Sequence, residues 1–232
     1  MCLKNISCVL TPMTGKRGIA KTREVEGKTQ VYMQLKSGES IILQTFTRSL
    51  QGEPEWKYRK EMDYSLSLDH GWKLRFVESY PAIEGEFKID TPSSWTEIAH
   101  PAAKINRGTA LYSLELDLPE LSADDWVLDL GDVRESARVR INGQEAGIAW
   151  AAPFRLSIGQ LLKSGKNLIE VEVTNLPANS IAEMDRQGKQ WRIFEDINMA
   201  KLNYEKGTYG HWETLPSGLN GIVRLIPVKY LF

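Results

Sequence analysis

The chain has 232 residues, 42% hydrophobic and 25% charged, enough to bury the core of one large β domain or two small ones. Its 29 Lys and Arg nearly balance 30 Asp and Glu, for a net charge of -1, and no basic stripe marks a nucleic-acid surface. No run approaches the ~18 apolar residues of a membrane span, so neither nucleic acid nor membrane is expected as a partner.

The opening "MCLKNISCVLTP" has one Lys and too short an apolar stretch for a signal peptide. The only cysteines are Cys2 and Cys8, which excludes a disulfide framework and a four-cysteine zinc site. They read as free thiols near a frayed end, with a single bridge as the alternative. Val31, Met33 and Leu35 then alternate, and Gly38 precedes the strand pattern "SIILQTF". The polar stretch "TRSLQGEPEWKYRKEMDYS", with Gly52 and Pro54, reads as a boundary. It divides the chain into a small β subdomain at 1–50, a linker at 51–63 and a sandwich at 64–232.

Beyond it the period is two almost throughout. Trp72, Leu74 and Phe76 oppose Lys73 and Arg75. Ala110, Tyr112, Leu114, Leu116 and Leu118 oppose Ser113, Glu115 and Asp117, and Trp126, Leu128 and Leu130 follow. Ala137, Val139 and Ile141 face away from Arg138 and Arg140. One wet face and one dry face indicate antiparallel sheets. Asn142-Gly143 predicts a type I′ hairpin turn, because both positions require positive φ. Pro153 interrupts the ladder, and Trp150 and Phe154 are expected to insert into the core or cover its end. "SIGQLLKSG" predicts a helix of about two turns, capped by Ser157, with Ile158, Leu161 and Leu162 on one face and Gly165 as its stop. Ile169, Val171 and Val173 form another strand, and the final "IVRLIPV" is apolar on both sides. No alternation of strands and helices appears, which excludes Rossmann-type and TIM-barrel folds. The expectation is an all-β jelly-roll sandwich.

Three stretches carry a family resemblance: "GTALYSLELDLP", "WVLDLGDVRESARVRINGQEAGIAWAAPFRLSIGQLLKSGKNLIEVEVTN" and "LPSGLNGIVRLIPV". Together they resemble the sugar-binding-like, galactose-binding-type jelly roll of large bacterial glycoside hydrolases. The pattern is of the family 2 type and is most similar to the C-terminal sandwich of family 106 α-L-rhamnosidase-like enzymes. "GWKLRF" and "SSWTEI" resemble its opening strands. "TPMTGKRGIA" and "VYMQLKSGESIILQTF" resemble the closing strands of the accessory β region before it. The chain departs from the pattern at Asn106-Arg107-Gly108, where relatives carry Phe-Ser-Gly, and at "LPANSIAEMDRQGKQW". The resemblance implies part of a longer architecture whose catalytic carboxylates sit on a separate barrel of ~250 residues, for which this chain has no room. It also implies a periplasmic or extracellular setting, a glycan ligand and a catalytic glycosidase domain as partner.

The segment "QWRIFEDINMAKLNYEKGTYGHWETLPSG" lies in a connection of about 40 residues, longer than ordinary loops. It interleaves Trp191, Phe194, Tyr204, Tyr209, His211 and Trp212 with Arg192, Glu195, Asp196 and Glu213. Sugars present apolar C–H faces rimmed by hydroxyls, which aromatic faces and charged donors and acceptors match. Trp191, Glu195, Asp196, Tyr209, Trp212 and Glu213 are therefore the candidate carbohydrate-binding residues. The structural alternative is that these aromatics staple a long loop or pack on a neighbouring domain. Glu195, Asp196 and Glu213 also allow a third reading, a glycosidase acting through paired carboxyl groups.

His70, His100 and His211 lack zinc spacing, and "DLGDVRES" lacks the spacing of a calcium loop. No cofactor is expected, but a structural calcium held by carbonyls leaves no trace in sequence and stays open. No nucleophile elbow or phosphate loop occurs. The leading reading is a non-catalytic carbohydrate-binding or accessory module, with a structural domain docking on a catalytic partner or on itself as the alternative.

Overall fold

A computed structural model describes residues 6–47, 50–118, 122–193 and 207–232. The N-terminal strands are β1 (Ile6–Leu10), β2 (Arg17–Ile19), β3 (Thr22–Val25), β4 (Lys28–Val31) and β5 (Ile42–Phe46). There follow β6 (Tyr58–Glu61), β7 (Leu66–Ser67), β8 (Trp72–Tyr80), β9 (Glu86–Ile89), β10 (Arg107–Leu118), β11 (Asp125–Asp129) and β12 (Val133–Arg134). The chain continues through β13 (Ser136–Ile141), β14 (Gln144–Ala149), β15 (Arg155–Ser157) and β16 (Gly165–Thr174). Helix α1 (Ala178–Arg186), β17 (Gly218–Leu219) and β18 (Arg224–Leu231) complete it.

Two antiparallel sheets form the sandwich. One has six strands in the order β14-β13-β16-β10-β8-β9. The other runs β15-β11-β18-β6, with β7 also on β18. Alternation along each strand sends one set of side chains inward. Trp72, Leu74, Tyr112, Val139, Ile169 and Val171 of the first sheet meet Trp126, Leu128 and Leu225 of the second in one core. Each large side chain so buried contributes about 1.5–3 kcal/mol. The fold is thus an all-β sandwich, as the alternation predicts.

The Asn142-Gly143 turn has φ of 54° and 79°, as a type I′ hairpin demands. Asn142 also ties the hairpin to its neighbours: its Nδ2 donates to Leu161 O at 2.9 Å, and its Oδ1 accepts from Leu168 N at 3.0 Å.

β18 is apolar on both faces for a reason. Leu225 faces the main core, while Ile226 and Val228 join Val127 in a second buried cluster on the opposite side of the sheet. The segment between β4 and β5 reaches that opposite side. Gln34 exchanges two hydrogen bonds of 2.9 Å with the Arg59 backbone, and Lys36 pairs with Glu61. Glu61 also takes Arg155 at 2.8 Å, and Arg155 reaches Asp129 at 3.1 Å. β1, β2 and β5 form a three-stranded sheet of their own, and β3 and β4 a hairpin. The small sheet touches the sandwich through a parallel bridge from Ile19 to Glu55 and through buried Tyr58, whose Oη accepts from Lys21 N at 3.0 Å.

Four local expectations are corrected. The helix over 157–165 is a single 3-10 turn at Gly159–Leu161, and Ser157 is a strand residue rather than its cap. The Ser157 hydroxyl donates to Asp125 Oδ2 at 2.8 Å, and that same carboxylate accepts from Gly159 N at 3.0 Å. A buried acceptor in the neighbouring strand therefore outcompeted the local cap. Trp150 does not enter the core: it is 57% exposed, whereas Phe154 packs against the core. The alternation at Val31, Met33 and Leu35 is not one strand, because β4 ends at Val31 and residues 32–36 instead reach the outer side of the second sheet. Cys8 is a free thiol buried in β1, not part of a frayed end, and Cys2 lies outside the described residues.

Candidate binding site at the sandwich rim

The connection from β16 to β18 leaves and rejoins the sandwich under tight control. Buried Asn175 accepts from Gly108 N at 2.9 Å and donates to Asn106 O at 3.0 Å and Ser217 Oγ at 3.1 Å. Ser217 N donates to Ser94 Oγ at 2.9 Å, and Leu219 N to the buried Tyr112 hydroxyl at 3.1 Å. Burial pushes the Tyr112 hydroxyl well above the usual phenol range, so it stays a neutral anchor. Gly218, at φ +95°, passes so close to Trp95 that an added Cβ would lie 2.8 Å from its Cε3 atom. Only glycine suits that backbone angle and that space.

Between these clamps runs α1, begun at Pro177, which has no N–H to leave unpaired, and followed by Gly188 at φ +64°. Its buried side is Asn179, Ser180 and Ala182. Asn179 exchanges two hydrogen bonds of 2.8 Å with the Leu215 backbone, which fixes the returning chain beside the helix. Arg186 in the last turn suits the negative helix end. It donates to Gly210 O at 3.0 Å.

Asp185 is the hub. Its carboxylate accepts from Trp191 Nε1 at 3.1 Å, from Tyr209 N at 2.5 Å and from Gly210 N at 3.1 Å. The Trp191 ring N–H first, and then the Tyr209 backbone N–H, hold its carboxyl below the usual carboxylate range. Three rings gather around it. Trp191 and Tyr209 lie 5.6 Å apart at 52°, and Tyr209 and Trp212 lie 4.7 Å apart at 55°. These separations fall in the favourable range for aromatic pairs. The Arg192 guanidinium sits 4.9 Å from the Trp191 ring and 5.2 Å from the Tyr209 ring, and it donates to Gly207 O at 2.5 Å. Trp212 remains 40% exposed, so an apolar ring face meets solvent beside charged donors.

Of the residues singled out in the sequence, Trp191, Tyr209 and Trp212 come together. Glu213 is exposed next to them, as is His211. Glu195 and Asp196, with Phe194 and Tyr204, lie outside the described residues. Among the described residues, no group of three or more His, Cys, Asp or Glu is placed to hold a metal ion. Asp185 escaped the sequence reading. The available signal was Pro177 and Gly188 bracketing a short amphipathic stretch, which puts Asp185 at a helix C-terminus facing the returning chain.

No protein-family model matches the chain. It is 29% identical over 197 residues to the "Putative beta-glucuronidase" of Formosa agariphila, covering 77% of this chain and 17% of that protein. A rhamnosidase from Novosphingobium sp. PP1Y superposes on it with a TM-score of 0.72 at 25% identity, covering 95% of this chain and 20% of the rhamnosidase. A β-D-glucuronidase of Dictyoglomus thermophilum shares the fold with a TM-score of 0.51 at 18% identity, over 73% of this chain and 29% of its own. The chain thus spans about a fifth of the length of the Formosa agariphila protein and of the rhamnosidase. It is a domain related to part of the glycoside hydrolases.

Proposed function

We propose that this glycoside hydrolase-related domain is a non-catalytic carbohydrate-binding or accessory module, a galactose-binding-type jelly roll preceded by a small β subdomain at about residues 1–50. Its ligand is a glycan, and its functional partner is a catalytic glycosidase domain. The observation that carries this reading is the ring trio Trp191, Tyr209 and Trp212, held at a sandwich rim by Asp185 and edged by Arg192. Rigid strands that position a loop bearing an exposed aromatic ring, here Trp212, are a common way to present a binding surface. An aromatic face against sugar C–H groups, with a guanidinium at its edge, matches both halves of a sugar's surface.

A glycan array probed with the purified protein, with and without calcium, tests the reading. Binding is expected to fall about tenfold in a Trp191→Ala, Trp212→Ala double variant, since each aromatic contact is worth roughly 0.5–1.5 kcal/mol beyond its area. Binding that survives the variant would move the site. A folded protein that binds no glycan would favour a second reading, docking on a protein partner. Ile193, 88% exposed, and Leu215, 46% exposed, beside the rings speak for that reading.

A further inference from the structure

The same end of the sandwich holds another aromatic pair that the sequence reading did not connect. On the six-stranded sheet, Ser136 faces Thr174, and Thr174 faces Thr109. Ala137 faces Ala149, so the row through Ser136 continues to Trp150 on the next strand. Two residues further along β10, Arg107 faces Tyr80. Ala110, Ala137, Ala149 and Val173 are all buried on the core side. Their alternating neighbours Thr109, Ser136, Trp150 and Thr174 therefore point to the outer face.

We infer that this outer edge is a second carbohydrate-binding surface, one that takes an extended oligosaccharide chain laid across the strand ends. Trp150 and Tyr80 bracket it, and they are 57% and 56% exposed. The Arg107 guanidinium lies 4.7 Å over the Tyr80 ring, leaving donors beside an aromatic face. Between the brackets stand hydrogen-bonding groups: the Thr109 and Thr174 hydroxyls are 2.8 Å apart, Ser136 stands next in the row, and the exposed carboxylate of Glu78 faces Thr109 on β8. Trp150, the residue just past β14, and Tyr80 on β8 are four strand spacings apart in the sheet order, which is about 19 Å. That exceeds a single sugar ring, whose width is close to one strand spacing, and suits several linked rings. A protein-docking patch would place its apolar groups together in the centre. Here they stand at the two ends, with hydrogen-bonding groups between. The inference rests on the carbohydrate-binding reading for its ligand class, but on different residues.

Native affinity electrophoresis in gels cast with galactomannan, xylan, alginate or polygalacturonate tests it. The wild type and the Trp150→Ala, Tyr80→Ala and Trp212→Ala variants would be compared, with circular dichroism confirming that each folds. At least one polymer is expected to retard the wild type, and free monosaccharide to compete poorly against its hexasaccharide. Trp150→Ala and Tyr80→Ala should each weaken retardation about fivefold. If Trp212→Ala abolishes retardation while Trp150→Ala and Tyr80→Ala leave it unchanged, this surface is overturned and the ring trio stands. If Trp150→Ala weakens it and Trp212→Ala does not, this surface stands and the trio falls. Retardation by none of the polymers overturns the second surface whatever the array shows for the trio. So does a concentration-dependent dimer that Trp150→Ala dissolves.

Discussion

Asp185 joins three donors that are distant in sequence: a tryptophan ring N–H and two backbone amides of the returning chain. An aspartate whose folded pKa is depressed contributes stability that is present above the ordinary value of about 3.9 and is lost as pH falls through the lower folded value. The ring cluster of the wild type should therefore lose its near-ultraviolet circular dichroism only below the usual carboxylate range. Asp185→Asn keeps the shape but has a single acceptor oxygen, which cannot serve three donors. Its ring signal should be reduced at neutral pH and show no acid step. A variant with the wild-type signal and the wild-type acid step would remove Asp185 from its role as the residue that positions the rings.

At the scale of elements, Asp125 does for the second sheet what Asp185 does for the rim. It is 8% exposed and draws together β15 through Ser157 at 2.8 Å, the 3-10 turn through Gly159 at 3.0 Å, and β18 through the Tyr230 hydroxyl at 3.4 Å. Arg59 of β6 stands 3.6 Å away. Burial first, and then the charge of Asp125, raises the Tyr230 hydroxyl above the usual phenol range. Asp125→Asn removes that charge, so Tyr230 should titrate at lower pH, followed by phenolate absorbance. The same variant should lose about 1–3 kcal/mol in urea unfolding, the cost of leaving buried donors short of an acceptor. An unchanged Tyr230 titration would separate the two residues. Asp125 also explains why the helix expected after Ser157 shrinks to one turn: the groups a cap would have used are already bonded across the sheet.

For the whole molecule, the question is whether the small β region and the sandwich unfold together. β6, within the stretch 51–63, pairs with β18 of the sandwich, and its Tyr58 also packs on Tyr32 at 4.9 Å. Val127, Ile226 and Val228 form a buried cluster on the outer side of the second sheet, the side that Gln34 and Lys36 reach. Among the described residues before β6, only Cys8, Val9 and Ala20 are buried hydrophobics, too small an apolar interior for the N-terminal region to stand without the sandwich. Calorimetry should show one cooperative transition whose calorimetric and van't Hoff enthalpies agree. Two resolved transitions, with the first removing the Lys36, Glu61 and Arg155 pairing, would instead make the N-terminal region an independent unit.

The sandwich was legible in the chain because strand burial has a short period. Each of Leu74, Val139 and Val171 announces its inward face through polar neighbours on either side, and Asn142-Gly143 states its turn through a local φ requirement. The aromatic richness of the C-terminal connection was equally visible, and three of its rings meet. The residues that organise the site were not visible. Asp185, Asp125 and Asn175 are hubs only because acceptors and donors far apart in sequence converge on them. Trp150 reads as a core residue from its apolar character, and only its place just past β14, next to buried Ala149, turns it outward. Local periodicity therefore determined the class of fold, while long-range hydrogen bonding and strand register decided which side chains share a surface. A register pairs residues by position in space, and no window of sequence contains both partners.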